Sequence, residues 1–170
     1  MSATALSAHL AAPRAAGSLL LLRASGRAFA VPIGCAQSVF RIETTTRLPG
    51  APDCVLGLVN LRGQIVPLTS LALRLDPNDK AGGSAPLGVV FDWGGRSIAA
   101  AVESVGDVVQ AGGEDIVPPP PTIDPALTEL VVAVLRRGRE LIPVLDIAAL
   151  FEFPVKSAEP ATRRLARETA

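Results

Sequence analysis

Gly57-Leu58-Val59-Asn60-Leu61-Arg62-Gly63-Gln64-Ile65-Val66-Pro67-Leu68 is the stretch whose reading decides the fold. An aliphatic run reaches Arg-Gly, turns, and leaves through a second apolar run that carries one proline. That is the pattern of a β-hairpin with glycine where the turn needs positive φ. A fainter copy follows at Val132-Ala133-Val134-Leu135-Arg136-Arg137-Gly138-Arg139-Glu140-Leu141-Ile142-Pro143-Val144, its Arg137-Gly138 pair standing 75 positions after Arg62-Gly63. The hairpin is repeated within one chain.

The repetition extends outward from the hairpin. Leu20-Leu21-Leu22-Arg23-Ala24-Ser25-Gly26-Arg27-Ala28-Phe29 overlies Val89-Val90-Phe91-Asp92-Trp93-Gly94-Gly95-Arg96-Ser97-Ile98 at an offset of 69, and the two copies run on to Val39-Phe40 and Val108-Val109. The offset grows because the second copy holds the extra loop Pro118-Pro119-Pro120-Pro121, and surface connections absorb added length at small entropic cost. That proline run is expected to be a stiff connecting loop rather than a polyproline ligand for another domain.

Strands are expected near residues 18–24, 27–33, 37–42, 55–61, 64–69, 87–92, 96–102, 105–110, 130–136 and 140–146. Gly26, Gly63, Gly94-Gly95 and Gly138 supply the tight turns between them. One or two helical turns are expected at 70–75 and 146–151, with Asp146 as an N-cap. Residues 76–86, rich in Gly, Pro, Asn and Asp, separate copies at about 18–75 and 87–151. Ten strands in two fivefold sets predict an all-β chain of two pseudo-symmetric, five-stranded, SH3-like barrels with short helical turns. Halves of roughly 70 residues are too small to be comfortable alone, so an apolar seam should join them into one body with a groove between barrels. Residues 1–17 and 155–170 show no sustained period and are expected to be flexible tails.

Hydrophobic residues are 49% of the 170 and charged residues 19%, a composition that must bury a core. Lys plus Arg and Asp plus Glu balance at 16 each, so no net field steers the chain toward nucleic acid or anionic lipid. The acid-poor start is not read as a transit peptide, because residues 20–40 belong to the first repeat. Arg23 interrupts Leu19 to Leu22 before a signal-peptide core forms, and no apolar run approaches the ~18 residues of a membrane span. A cytoplasmic chain without direct membrane insertion is the expectation.

Catalytic equipment is sparse. There is no phosphate loop, no GxSxG elbow and no tyrosine, and the single histidine, His9, falls in the expected tail. Glu103, Asp107, Glu114 and Asp115 read as a solvated edge rather than a catalytic pair, and Thr44-Thr45-Thr46 offers hydroxyls without a base. Cys35 and Cys54 have no CxxC spacing and no nearby histidine, so they read as free thiols with no metal and no cofactor. Trp93 either anchors a partner at a hairpin tip or covers a barrel mouth. A non-enzymatic binding protein is the outcome; the competing class is an enzyme or small-ligand binder using the inter-barrel groove.

Leu48-Pro49-Gly50-Ala51-Pro52, then Val55 through Leu68, then Leu71, resembles the signature of the CheW family, the adaptors of bacterial chemosensory arrays. Ala101-Val102-Glu103-Ser104-Val105-Gly106-Asp107-Val108-Val109, the proline after Ile116-Val117, and Leu145-Asp146-Ile147 agree more loosely, so the resemblance covers about residues 18–154. It implies two pseudo-symmetric barrels, no catalytic activity, and a scaffold that joins the cytoplasmic tips of methyl-accepting chemoreceptors to the regulatory domain of a CheA-type histidine kinase. Carried onto this chain, it implies partner-binding roles for Asn60, Arg62 and Gly63, with Arg62 either at a receptor-facing groove or in an internal ion pair that orients the hairpin. Val39, Val105 and Val108 are the apolar positions it puts near partner surfaces or in the barrel seam. Ala99, at a groove wall, and Val132 stand where the family often has glycine, and Val39 where it commonly has an acid. These departures imply altered partner selection by steric rejection, and an alternative pathway such as surface sensing or pilus-based motility.

Overall fold

The computed structural model describes residues 17–79 and 85–152. His9 and the expected tails lie outside these residues, except Gly17, which opens the first strand. The elements in chain order are β1 (Gly17–Ala24), β2 (Arg27–Pro32), β3 (Ala36–Arg41), β4 (Val55–Leu61), β5 (Gln64–Ser70), α1 (Leu71–Leu75), β6 (Leu87–Trp93), β7 (Arg96–Val102), β8 (Ser104–Ala111), β9 (Ile116–Val117), β10 (Val131–Arg137), β11 (Glu140–Leu145) and α2 (Ile147–Phe151). Each of the ten expected strands is present to within one residue at either end, and β9 is an addition.

The strands form two sheets, ordered β8-β1-β2-β11-β10-β9 and β3-β6-β7-β5-β4. The all-β architecture of two pseudo-symmetric units stands, but the expected origin of their strands does not. Neither sheet is one contiguous half of the duplication: the β1–β2 hairpin joins β8, β10 and β11 of the second copy, while β6–β7 joins β3, β4 and β5 of the first. The exchange is symmetric in register, with β11 parallel to β2 at Val144–Ala30 and β5 parallel to β7 at Leu68–Ala99. Equivalent strands carry the same apolar pattern, so periodicity cannot distinguish pairing within a copy from pairing across copies.

The two hairpins also differ by one residue. Leu61 pairs with Gln64 in the first and Arg137 with Glu140 in the second, so the turn residues are Arg62-Gly63 and Gly138-Arg139. The structural offset is therefore 76, one more than the Arg-Gly pairs imply.

Each sheet curls back toward its own far edge in the manner of a small barrel. Beyond β3 the chain bends until Thr46 bridges Leu58 of β4, through Thr46 N to Leu58 O at 2.9 Å and Leu58 N to Thr46 O at 2.7 Å. Opposite it, β9 pairs with β10 through Val117–Val134 and Ile116–Leu135. Gly57 is what permits the first of these closures. Its φ is +144°, the β4–β5 register slips beside it, and a Cβ there would lie 2.2 Å from Thr46 O. The second copy slips at the corresponding place, between Val131 and Ala133, and has Ala133 where the first has Gly57.

The central core is where the exchanged hairpins meet. Leu20, Leu22, Phe29 and Val31 pack in one cluster with their offset-69 equivalents Val89, Phe91, Ile98 and Ala100. Leu71 and Leu75 of α1 and Ile147 and Phe151 of α2 complete it, with the Phe91 and Phe151 rings 5.8 Å apart. Alternate residues on the same strands face the other way, into a smaller core for each sheet: Leu19 and Ala30 with Ile142 and Val144 of β11 in one, Val90 and Ala99 with Val66 and Leu68 of β5 in the other.

The helices are capped by Ser70 Oγ, accepting from Leu73 N at 3.2 Å, and by Asp146 Oδ1, accepting from Ala148 N at 2.9 Å. Arg74 of α1 reaches across the duplication and donates to the carbonyls of Ala149, Leu150 and Glu152 at 2.8, 2.9 and 3.1 Å, satisfying the C-terminal end of α2. Thr69 Oγ1 is buried without a hydrogen-bond partner among the described residues. A hydroxyl in that state costs about 1–3 kcal/mol.

Gly57→Ala should therefore lower the free energy of unfolding by about 3 kcal/mol, since both backbone strain and the Thr46 contact oppose a methyl group. Urea denaturation followed by circular dichroism checks this, and an unchanged midpoint would contradict it.

Candidate partner-binding site

The tip of the β4–β5 hairpin is a two-residue turn in which Arg62 (φ +53°) and Gly63 (φ +86°) both take positive φ, the requirement of a type I′ turn. Glycine adopts this freely, whereas arginine does so at a cost of about 1–2 kcal/mol. Asn60 Oδ1 accepts a hydrogen bond from Gly63 N at 2.8 Å and holds the tip closed. The β6–β7 tip repeats the device with Asp92 Oδ1 and Gly95 N at 3.0 Å. Asn60 and Gly63 thus shape the turn, and Arg62 is the side chain it presents. Arg62 is exposed and, among the described residues, makes no ion pair, which sets aside the internal ion pair as its role.

Between this tip and the outer strand β3 lies a groove of about 590 Å³, walled by Val39, Phe40, Arg41, Asn60, Leu61 and Arg62, with Val66 and Val90 also in its lining. A second groove of about 480 Å³ shares Phe40, Arg41, Glu43, Asn60 and Leu61 with it and continues to Leu58 and Ile65. Phe40 forms a wall of both. It sits across the ladder from Gly88, and a Cβ on Gly88 would lie 2.2 Å from the ring, so the missing side chain seats the aromatic. The equivalent pair in the other sheet is Leu19 and Val109, which fill the same place with two aliphatic side chains.

The structure brings Val39, Asn60 and Arg62 to one groove, with Gly63 bonded to Asn60 beside it. It does not gather the rest. Val108 is 51% exposed on β8, an outer strand of the other sheet, as the offset-69 counterpart of Val39 at 47%. Val105 is half-buried against the central core. Ala99 corrects its expected place at a groove wall: it is 0% exposed, because β7 is the middle strand of its sheet and Ala99 faces that sheet's core.

Sequence reasoning missed Phe40 and Arg41 as site residues, and also the exposed Ile65 and Leu141, both 58% exposed and equivalent at offset 76. Strand alternation was the available signal for Ile65, since buried Val66 and Leu68 put their odd-numbered neighbours on the outer face.

The remaining chemistry is structural. Glu103 accepts from Gly26 N at 2.9 Å and Asp115 from Gly112 N at 2.9 Å, so two of the four acids hold turns. Cys35 and Cys54 are free and half-buried. Burial pushes both thiols up, reinforced at Cys35 by Asp92 and Asp146 and opposed at Cys54 by Arg74, so neither is a ready thiolate. Trp93 packs partly buried against the central core. Among the described residues no group of three or more His, Cys, Asp or Glu gathers as a metal site, and no helix is long and apolar enough to cross a membrane.

Interlocked duplicate sheets that expose an arginine-bearing groove at an outer strand define a β-sheet interaction scaffold. The CheW-like domain family matches residues 18–154, and the chain belongs to the CheW family, which consists of scaffolds rather than enzymes. It is similar to the chemotaxis protein CheW of Klebsiella aerogenes, 25% identical over 150 residues that span 88% of this chain and 90% of the relative. It is 26% identical over 127 residues to the chemotaxis protein CheW of Treponema pallidum, spanning 72% of this chain and 75% of that one. In structure it is similar to the scaffolding protein TtCheW of Thermoanaerobacter tengcongensis, with a TM-score of 0.73 over 85% of this chain and 98% of that chain at 23% identity, a likeness of fold.

Gly63→Val should cost about 1–2 kcal/mol, because a β-branched side chain resists φ of +86° even though the space around it is open. A urea midpoint equal to that of the unaltered chain would remove the claim that the tip depends on this conformation.

Proposed function

We propose that this chain is a cytoplasmic, non-catalytic adaptor that couples methyl-accepting chemoreceptors to a CheA-type histidine kinase in a chemosensory array. The observation that carries the reading is Arg62, without an ion-pair partner among the described residues and carried on the turn that Asn60 and Gly63 shape, in a groove at an outer strand. Membership of the CheW family supports partners within a chemosensory array, and the receptor and the kinase are the partners proposed. The receptor tip is a helical hairpin, and a groove walled by both apolar and polar groups suits one face of such a helix.

An adaptor also needs two docking surfaces. Apart from Leu48, the exposed large aliphatic side chains of the described residues form equivalent pairs, Val39 with Ile65 on one sheet and Val108 with Leu141 on the other, which supports a chain that engages two partners at once. Interfaces of this size are individually weak and gain strength by repetition in an array.

The competing small-ligand reading requires a cavity between the barrels. That space is filled by the central core, so the reading loses its site. The relatives carry the name of chemotaxis proteins, and the surface-sensing or pilus pathway is not carried forward.

The purified chain should bind both an immobilised chemoreceptor cytoplasmic hairpin and a CheA regulatory domain from the same organism. Arg62→Glu, still folded by circular dichroism, should lose receptor binding at least about tenfold and keep kinase binding, as expected when a charge is reversed at a contact. Binding of the unaltered chain to neither partner would overturn the proposal.

A further inference from the structure

We propose that the groove reads a carboxylate on its partner, carried between aliphatic side chains on one face of a helix, through the two guanidiniums of Arg41 and Arg62. The inference rests on the adaptor reading above and specifies what that adaptor recognises.

Both arginines wall the same groove, and among the described residues neither is ion-paired. Among the described residues, the nearby acceptors make no ion pair with them. Asn60 Oδ1 accepts from Gly63 N, Asp92 Oδ1 accepts from Gly95 N, and Glu43, the acid in the lining, forms no ion pair among the described residues. Two guanidiniums against the single carboxylate of Glu43 leave the concavity with an excess of positive charge that favours an anion from outside, and a planar guanidinium suits a carboxylate in particular.

The apolar frame decides what kind of anion. Val39 and Ile65 stand exposed at 47% and 58%, one in the lining of each of the two connected grooves, with the Phe40 ring walling both. A free small anion would leave those groups in water. A helix places side chains three and four positions apart on one face and can set aliphatic groups against Val39 and Ile65 with an acid between them.

The duplication provides an internal comparison. At the places equivalent to Arg41 and Arg62 the other sheet has Gln110, whose amide donates to Ser18 Oγ at 2.7 Å, and Gly138. Its tip carries Arg139 in the turn, at the place of Gly63, and Arg137 directly across the ladder from Glu140. The exposed aliphatic pair is duplicated, while an arginine on the outer strand beside one in the turn is not, since β8 carries none. The two faces therefore share a shape and differ in chemistry, and the joining of an outer-strand arginine and a turn arginine in one groove belongs to the face with Arg41 and Arg62.

The test is binding to an immobilised chemoreceptor cytoplasmic hairpin across about 50 to 500 mM NaCl, a range over which exposed charge pairs are progressively screened. Affinity of the unaltered chain should fall as salt rises. Arg41→Gln and Arg62→Gln should each weaken it by about five- to tenfold at low salt, the usual worth of one charge-assisted contact. The double substitution should flatten the salt dependence. Val39→Glu supplies a carboxylate within the groove and should weaken hairpin binding, while Val39→Gln should weaken it less. All three sites are at the surface, and binding to the CheA regulatory domain serves as the folding and specificity control. Hairpin binding that ignores both salt and Val39→Glu overturns the carboxylate assignment and leaves the adaptor reading standing. No hairpin binding by the unaltered chain removes both together.

Discussion

Strands β1, β2, β6 and β7 are buried along most of their length on both faces, and everything else in the fold answers to that constraint. A two-stranded hairpin apolar on both sides needs cover on both sides. Each hairpin here has one face against the other hairpin in the central core and the opposite face inside a sheet completed by the other copy. The halves are interlocked rather than adjacent, and neither retains its own core if the other is withdrawn. Arg74 extends the same logic to the helices, since its guanidinium on α1 satisfies carbonyls at the end of α2.

The site follows from this arrangement. With β6–β7 taken into the middle of the second sheet, β3 becomes an outer strand and its residues Val39 to Arg41 face a groove rather than a neighbour. The β4–β5 tip approaches from the other side, rigid because its turn is fixed by glycine at one position and by the Asn60 side chain at another. Binding through a preformed surface of this kind spends little on ordering, which suits an adaptor whose task is to hold partners at a set distance.

Much of this was legible in the sequence, for identifiable reasons. Strand positions came from aliphatic runs punctuated by glycine, and the need for Gly63 came from turn chemistry, because both signals are local. The Asp146 cap was legible for the same reason. The pairing of strands across copies was not, since β1 and β6 carry equivalent patterns and either could accept the same neighbours. The one-residue shift between hairpins was hidden because Arg62-Gly63 and Arg137-Gly138 look identical while only the first pair occupies a two-residue turn. Ala99 was misplaced for a related reason: its burial depends on β7 being the middle strand of its sheet. Arg41 and Phe40 were passed over because their importance comes from a groove that exists only after β3 is left at the edge.

The central claim is that the two copies fold only as one interlocked body. Residues 1–84 and 85–170 produced separately, then mixed, test it most directly by thermal unfolding followed with circular dichroism. The account predicts no cooperative transition for either fragment alone and recovery of one on mixing. A cooperative transition in an isolated fragment would contradict it.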